Sequence, residues 1–176
     1  MSGRKNDTVP SHNFEPSDIH GKSTAESSIT QWLGTFRRLW RVDSSVHINI
    51  IPLEEERPWL VTLKNSNNEF LGDVEMDDWS EVQPAAAIEC IGNKLHKTMA
   101  YSVEVMDEQI ARSWARSLVE SFAASDGSSG AVTWYTNVDL EDNSWNPVTE
   151  ITFDFCLVGV DTASKSIGFL LMTDED

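Results

Sequence analysis

Basic side chains are scarce in this sequence. It has 13 Lys and Arg residues against 29 Asp and Glu residues, which gives a formal net charge of −16 at pH 7. A protein that binds nucleic acid by general attraction to phosphates needs a basic surface, so this composition excludes that class of function. The charge leaves three interpretations: an acidic surface that keeps the protein soluble, a metal site, or a surface for a basic partner.

Cysteines and long apolar runs are also rare. The two cysteines, Cys90 and Cys156, both lie in apolar stretches. This does not fit a disulfide-rich secreted domain and predicts two buried thiols. No apolar run approaches the length of a membrane-spanning helix, and residues 1–28 contain no apolar segment of the kind found in secretory signals. We therefore expect a cytoplasmic protein that does not bind membranes.

Length and patterning predict one folded domain after a short polar segment. Residues 1–27 are polar and are expected to form a disordered leader, which leaves residues 28–176 as a single domain. Apolar residues recur at spacings of three and four in two stretches, so we predict two main helices, at about residues 28–41 and 107–124. Asp107 is the predicted cap of the second helix, and Ile110 is expected on its buried face.

The other apolar stretches predict β-strands. A two-residue period favours strands in "VHINII", "WLVTL" and "FLGDVEM", and three more strands are predicted in "AVTWYTNV", "EITFDFCLVGV" and "SIGFLLM". The last of these is predicted to be a buried strand, and "DTASKS" joins it to the strand before it as a hairpin. "AAAIECI" and "KLHKTMAYSVEV" are predicted as a hairpin around Gly92 and Asn93, with a helix over residues 85–97 as the alternative. Short connections favour an α+β fold with a mostly antiparallel sheet of about six to eight strands. Alternation in "EITFDFCLVGV" is expected to leave Asp154 and Cys156 on a face that meets solvent or a partner.

The acidic residues are concentrated in two blocks. Residues 46–83 hold nine acids against Arg57 and Lys64, and residues 131–176 hold nine acids against Lys165. Trp79 and Trp145 lie among these acids, and carboxylates with aromatic anchors suit a surface that binds a basic protein. A solvated surface that only maintains solubility is the alternative. The candidate partner-binding residues are Asp73, Glu75, Asp77, Asp78, Trp79, Glu81, Asp139, Glu141, Asp142, Trp145, Asp174, Glu175 and Asp176.

The sequence offers little support for catalysis. Asp73, Glu75 and Asp77 would share one face of a strand and could hold Mg²⁺, but no lysine follows them in a nuclease-like arrangement. The histidine and cysteine spacings do not match a zinc site. Cys156 has no nearby helix terminus or cation to lower its pKa. We therefore predict no enzymatic activity, no cofactor and no metal, and we interpret the three carboxylates as a solvated strand face.

The end of the chain carries a family resemblance. The stretches "SWNPVTEITFDFCLVGVD" and "SIGFLLMTDED" resemble the C-terminal part of small acidic immunity proteins from bacterial polymorphic-toxin and contact-dependent growth inhibition systems. The resemblance covers about the last quarter of the chain. It implies a cytoplasmic protein that binds and neutralises a basic toxin domain, such as a nuclease, and performs no catalysis itself. In this interpretation the last strand presents Asp174, Glu175 and Asp176 to a basic cleft with little ordering cost.

Two other functions stay open. An acidic secretion chaperone would bind an unfolded segment of its partner and form a dimer. A DNA mimic would present carboxylates at the spacing of phosphates along an elongated surface.

Overall fold

The computed structural model describes residues 44–54, 57–67, 71–123, 132–140 and 144–174. The predicted leader and the predicted helix at residues 28–41 lie outside these ranges. A short 3-10 turn covers Met76–Asp78. The helices and strands, in chain order, are β1 (Ser44–Pro52), α1 (Trp59–Ser66), β2 (Ser80–Val82), α2 (Pro84–His96), α3 (Glu108–Ala123), β3 (Val132–Thr136), β4 (Phe153–Asp161) and β5 (Ser166–Asp174).

The strands form one antiparallel sheet with the order β1-β5-β4-β3-β2. The α+β class and the antiparallel sheet are confirmed. The predicted numbers of two main helices and about six to eight strands are wrong, since the described residues contain three helices and five strands. The β4–β5 hairpin is confirmed, with Asp161 paired to Ser166 across its end. The Asp161 carboxylate accepts hydrogen bonds from the backbone N–H groups of Ala163 (2.9 Å) and Ser164 (3.1 Å), which fixes the turn.

The stretch "WLVTL" is a helix, not the predicted strand. An alternating strand would bury Val61 together with Trp59 and Leu63. In α1 the side chains of Trp59, Leu60 and Leu63 are buried, whereas Val61 is exposed, which is helical spacing. Pro58 immediately precedes the helix with a φ of −54°, a value that suits a helix start.

The stretch "FLGDVEM" is not a strand either. Its residues 71–75 have no regular structure, and the 3-10 turn follows them. Leu71 and Val74 are buried, but Met76 is exposed. The three carboxylates of Asp73, Glu75 and Asp77 therefore do not share a strand face, contrary to the prediction.

Helix α2 occupies the place of the predicted hairpin, so the alternative interpretation is confirmed. Pro84 stands at its start, where its missing N–H is tolerated. A Cβ added to Gly92 would lie 3.2 Å from Cγ of Arg112 on α3. The glycine therefore serves the close approach of two helices and not a turn. The buried residues of α2 recur at helical spacing: Ala87, Cys90, Ile91, Gly92 and Leu95.

The predicted helix over residues 107–124 is confirmed as α3. The Asp107 carboxylate accepts hydrogen bonds from the N–H groups of Gln109 (2.9 Å) and Ile110 (3.1 Å), as expected of an N-cap. Ile110 itself is exposed, contrary to the prediction. The buried stripe of α3 comprises Ala111, Ala115, Leu118, Val119 and Phe122.

Helices cover both faces of the sheet. On one face, α2 and α3 form a core with the β4 residues Phe155 and Leu157. On the other face, α1 and the segment before β2 form a second core with the β4 residues Cys156 and Val158. The prediction that one face of β4 meets solvent or a partner is therefore wrong, and Asp154 is buried. No helix in the described ranges is long and apolar enough to cross a membrane.

Candidate functional site: the acidic end of the sheet

Several strand termini meet at one end of the sheet. Register pairs Ser80 with Thr136, and Thr136 with Leu157, so β2 begins where β3 ends. At the same end β4 begins at Phe153, opposite Asp174 at the end of β5. The segment 71–79 and the described residues of a second segment, 137–140 and 144–152, therefore lie at this end of the sheet. We call these two segments, with Glu81 of β2, the acidic end.

Two hydrogen bonds join the segments of the acidic end. The side-chain amide of Asn146 donates to the backbone carbonyl of Asp78 (3.3 Å), and the N–H of Gly72 donates to the carbonyl of Val148 (2.8 Å). Val74 and Val148 are both buried in the core beside α1. The described residues of the sequence-predicted regions 73–81 and 139–145 thus lie at the same end of the sheet.

Asn137 connects the second segment to the sheet. Its side-chain oxygen accepts a hydrogen bond from the N–H of Cys156 (2.7 Å). Its amide nitrogen donates to the carbonyl of Asn146 (3.0 Å) and to a carboxylate oxygen of Asp154 (2.9 Å). Both the side-chain oxygen and the side-chain nitrogen of this buried amide are therefore engaged, so its orientation is fixed.

Asp154, near the start of the central strand β4, completes this connection. Its second carboxylate oxygen accepts hydrogen bonds from the N–H of Val148 (2.9 Å), the N–H of Thr149 (2.7 Å) and the Thr149 hydroxyl (2.8 Å). With the bond from Asn137, four donors surround the carboxylate. Its burial is compensated by these donors, and the segment 137–149 is held to β4 at both of its ends.

The tip of this segment carries exposed apolar side chains. Val138 and Trp145 form an isolated bridge, and the N–H of Asp139 donates to the carbonyl of Ser144 (2.9 Å). Trp145 lies with its ring centroid 5.9 Å from that of Phe153 and remains 41% exposed. Leu140 is 49% exposed. Glu141 and Asp142, two predicted site residues, lie outside the described residues.

The first segment presents carboxylates around its 3-10 turn. Asp78 accepts a hydrogen bond from the N–H of Glu75 (2.8 Å), and the Glu75 side chain caps the turn in return. Asp77 is exposed, as is the apolar side chain of Met76. Asp73 lies 3.3 Å from the Lys64 ammonium, but 97% of its side chain is exposed, so this pair contributes little to stability.

Trp79 does not lie on this surface. It is 7% exposed and packs edge-on against Trp59 with a centroid distance of 5.4 Å. Trp59 in turn stacks on Tyr135 at 4.7 Å. The predicted role of Trp79 as an exposed anchor is therefore corrected to a core position. Glu81 is exposed on the edge strand opposite Tyr135, and burial, followed by the Glu81 charge, raises the pKa of Tyr135.

Asp174 is also turned inward. Its side chain is buried, and one carboxylate oxygen accepts hydrogen bonds from the N–H groups of Met99 (2.9 Å) and Ala100 (3.1 Å). The expectation that it faces a partner is therefore replaced by a structural role, since it fixes the turn after α2. Glu175 and Asp176 lie outside the described residues.

The segments of the acidic end carry charge of one sign, although the Lys64 ammonium of α1 contacts them at Asp73 and Val74. Neither residues 71–81 nor residues 137–152 contain Lys or Arg. Carboxylates on a surface of this kind raise the association rate of a basic partner and are screened by salt. The exposed carboxylates of the described residues here are Asp73, Glu75, Asp77, Glu81, Asp139 and Glu150.

In the described parts of the chain, no three His, Cys, Asp or Glu side chains are grouped so that they could hold a metal ion. Both cysteines are buried and free, which confirms the predicted buried thiols. Burial raises the pKa of Cys156 well above its ordinary value, and burial also raises that of Cys90.

These thiols are expected to react slowly with alkylating or disulfide reagents. The thiolate is the reactive form, and both a raised pKa and burial reduce its availability at pH 8. We expect Cys90 and Cys156 to resist a thiol-specific reagent in the native chain and to react fully in denaturant. A rapid reaction of one thiol in the native chain would contradict the burial described here.

Sequence reasoning missed several residues that shape this surface. Asn137 and Asp154 build its scaffold, and Met76 and Leu140 supply exposed apolar area. A polar Asp inside an otherwise apolar strand was the available signal for Asp154, because such a residue needs buried partners. The exposure of Met76 and Leu140 depends on contacts between distant segments.

A scan against protein-family models, a search of curated proteins and a search of solved structures each found no match for this chain.

Proposed function

We propose that this chain is a cytoplasmic immunity protein that binds and neutralises a basic toxin domain through the acidic end. In this proposal it has no catalytic activity and binds neither nucleic acid nor membranes. One observation carries the proposal: two acidic segments, distant in sequence, are joined at one end of the sheet, with exposed Trp145, Leu140 and Met76 among their carboxylates.

The composition of the acidic end suits such a partner. Carboxylates steer a basic surface during encounter, while aromatic and Met side chains supply contact area that is desolvated on binding. Because Asn137 and Asp154 hold residues 137–140 and 144–149 with several hydrogen bonds, little ordering of these residues would be required on association. The resemblance of the C-terminal stretch to immunity proteins points to the same class of partner.

Charge reversal at the acidic end is expected to weaken capture of the partner. The test variant combines Asp77→Lys and Asp139→Lys, both at exposed positions. The control variant combines Glu108→Lys and Glu120→Lys, which change the net charge equally on α3. We expect the test variant to slow association about 10- to 100-fold at low salt and the control to have little effect. Association rates measured against the captured partner at several salt concentrations check this.

The partner must also behave as a toxin. The immobilised chain is exposed to lysate of the source cells at low salt and eluted with a salt gradient. The proposal requires one basic protein, bound 1:1, that arrests growth when expressed alone and is harmless when co-expressed with this chain. Equal retention by both variants, or a partner without effect on growth, would overturn it. Recovery of many different DNA-binding proteins in the eluate would favour the DNA-mimic function. Recovery of a partner that binds through an unfolded segment would favour the chaperone function.

The exposed indole of Trp145 is expected to be an anchor of this interface. Replacing Trp145 with alanine should weaken binding about 30-fold or more, mainly through faster dissociation, because partly exposed Trp residues at interface centres often contribute about 2 kcal/mol. Val103→Ala is the control, since Val103 is also exposed but lies after α2. An unchanged dissociation rate in the Trp145→Ala variant would place the interface elsewhere.

A further inference from the structure

Strand β1 carries an apolar stripe on the face of the sheet that α2 and α3 cover. Val46, Ile48 and Ile50 alternate onto this face and pack against its core, but they are only partly buried. Their partners on β5 are buried much more completely: Leu170, opposite Ile48, is 0% exposed, and Met172, opposite Val46, is 2% exposed. The layer formed by α2 and α3 therefore covers β5 fully and β1 only in part.

The positions of the two helices explain this difference. Helix α2 contacts β3, and Phe122 of α3 lies against Gly168 of β5. Because the strand order is β1-β5-β4-β3-β2, the side of α3 that faces away from α2 is directed toward β1. Gly92 of α2 approaches α3 at Arg112. Trp114 follows Arg112 by two positions, about 200° around the helix, so it lies on the β1 side.

Trp114 is itself partly buried against the core of this face. Together with the three apolar residues of β1, it outlines an elongated apolar surface that runs parallel to the strand. We call this surface, formed by Val46, Ile48, Ile50 and Trp114, the β1 groove.

The sequence immediately before β1 has a matching composition. Residues 28–41 lie outside the described residues, but their apolar side chains recur at spacings of three and four, which predicts one apolar helix face. A helix rises about 1.5 Å per residue, so Trp32 and Trp40 would lie about 12 Å apart. Val46 and Ile50 lie about 13 Å apart along a strand. The predicted apolar face is therefore as long as the stripe on β1. Its members are Ile29, Trp32, Leu33, Phe36, Leu39 and Trp40.

The short connection and the charge agree on one direction. Few residues separate the end of the predicted helix at residue 41 from Ser44, so the helix would run back along β1, antiparallel to it. Its C-terminal part, with Arg37, Arg38 and Arg41, then lies at the Ser44 end of β1. This is the acidic end, because Ser44 is opposite Asp174 in register. Residues 28–42 contain no Asp or Glu, so the charges of the segment and of the acidic end are complementary.

We propose that residues 28–41 of the same chain occupy the β1 groove as a further helix beside α3. The docking is independent of the proposed toxin-binding function. Its three arginines would repel a basic partner at the β1 side of the acidic end and direct that partner toward the β2 side. The neighbours in this arrangement are Trp40 and Val46, Phe36 and Ile48, and Leu33 and Ile50.

The reactivity of a thiol placed in the groove tests the proposal in the full chain. Ile48→Cys introduces this thiol, and the buried Cys90 and Cys156 report any global unfolding. Adding Leu33→Asp places a carboxylate on the docking face of the segment, and alkylation of the thiol at position 48 should become about 10-fold faster or more. Gln31→Asp is the matched control, because Gln31 would lie on the opposite side of the predicted helix. It should leave the rate unchanged.

Thiols within the segment provide a second measurement without a disruptive charge. Phe36→Cys should be alkylated about 10-fold more slowly than Gln31→Cys, because only the first would face the groove. Equal rates at these two positions, or an equal rate at position 48 with and without Leu33→Asp, would overturn the proposal. So would protection that depends on chain concentration, because the segment would then dock on a second copy. If Leu33→Asp exposes Cys90 or Cys156, the comparison of positions 31 and 36 decides.

Discussion

Replacing Gly168 with alanine is expected to destabilise the fold by about 3 kcal/mol. Gly168 lies in β5 on the face that α3 covers. A Cβ added at this position would lie 2.6 Å from Cδ1 and 2.8 Å from Cγ of Phe122. The Phe122 ring is buried and packs beside Trp134 with a centroid distance of 5.9 Å. It cannot retreat without displacing that neighbour, so the added methyl group strains the core.

The same crowding recurs one strand away. Gly159 in β4 pairs with Gly168 in register, and a Cβ there would lie 2.8 Å from Cζ3 of Trp134. The two glycines thus form a depression in the sheet that accommodates two aromatic rings. Gly72→Ala is a suitable control, since its Cβ would lie 3.6 Å from the Val148 carbonyl oxygen, an ordinary contact distance.

Chemical denaturation of the variants measures the effect. Gly168→Ala should lower the free energy of unfolding far more than Gly72→Ala. Combining Gly168→Ala with Phe122→Leu should cost less than the sum of the two single changes, because the smaller side chain relieves the clash. Additive losses would show that the contact with Phe122 is not the cause.

Local signals account for the elements that the sequence predicted correctly. Helix α3 carries its cap Asp107 and its apolar stripe within one stretch, and the β4–β5 hairpin carries its turn residues between two apolar, strand-like runs. Strands β1 and β3 also follow alternation. In each case the residues that determine the element are neighbours in sequence, so patterning was sufficient.

The incorrect elements are short apolar runs with ambiguous periodicity. "WLVTL" and "AAAIECI" fit a strand or a helix equally well over five to seven residues. The packing of Trp59 against Trp79 and of Gly92 against Arg112 favours the helix in each case, and these contacts join distant segments.

The candidate site was predictable as a region but not in its details. Asp73, Glu75, Asp77 and Asp139 are exposed at the acidic end, as composition suggested. Burial of Trp79, Asp154 and Asp174 depends on whether a second layer covers the sheet, and alternation within one strand carries no such information. Alternation alone therefore does not distinguish the two acids, Asp154 and Asp174, from exposed acids.

Asp154→Asn is expected to destabilise the chain by about 2–3 kcal/mol, although it preserves the shape of the side chain. Both carboxylate oxygens are in use: one accepts from the Asn137 amide, and the other accepts from Val148 and Thr149. An asparagine offers one acceptor and one donor in their place. Its NH₂ group must then face either the Asn137 amide or the Val148 and Thr149 donors, which leaves buried donors without an acceptor.

A rotation of Asn137 cannot resolve this conflict. Its oxygen accepts from the N–H of Cys156, and its nitrogen donates to the carbonyl of Asn146. Turning the amide would break both hydrogen bonds and release the segment that carries Trp145. Hydrogen exchange should therefore show faster exchange at residues 145–149 in Asp154→Asn, and partner capture should weaken even where the chain remains folded.

Asp174→Asn is the matched control for this prediction. Asp174 is a second buried carboxylate at the same end of the sheet, but both of its backbone donors, Met99 and Ala100, use a single oxygen. The amide oxygen of an asparagine can accept both bonds, so this variant should lose less than about 1 kcal/mol. The free energies of unfolding of the two variants, measured by denaturation, distinguish an effect of the arrangement of donors from an effect of burying a carboxylate. Equal losses would mean that the removal of a buried charge, and not the four-donor network around Asp154, determines the stability of the acidic end.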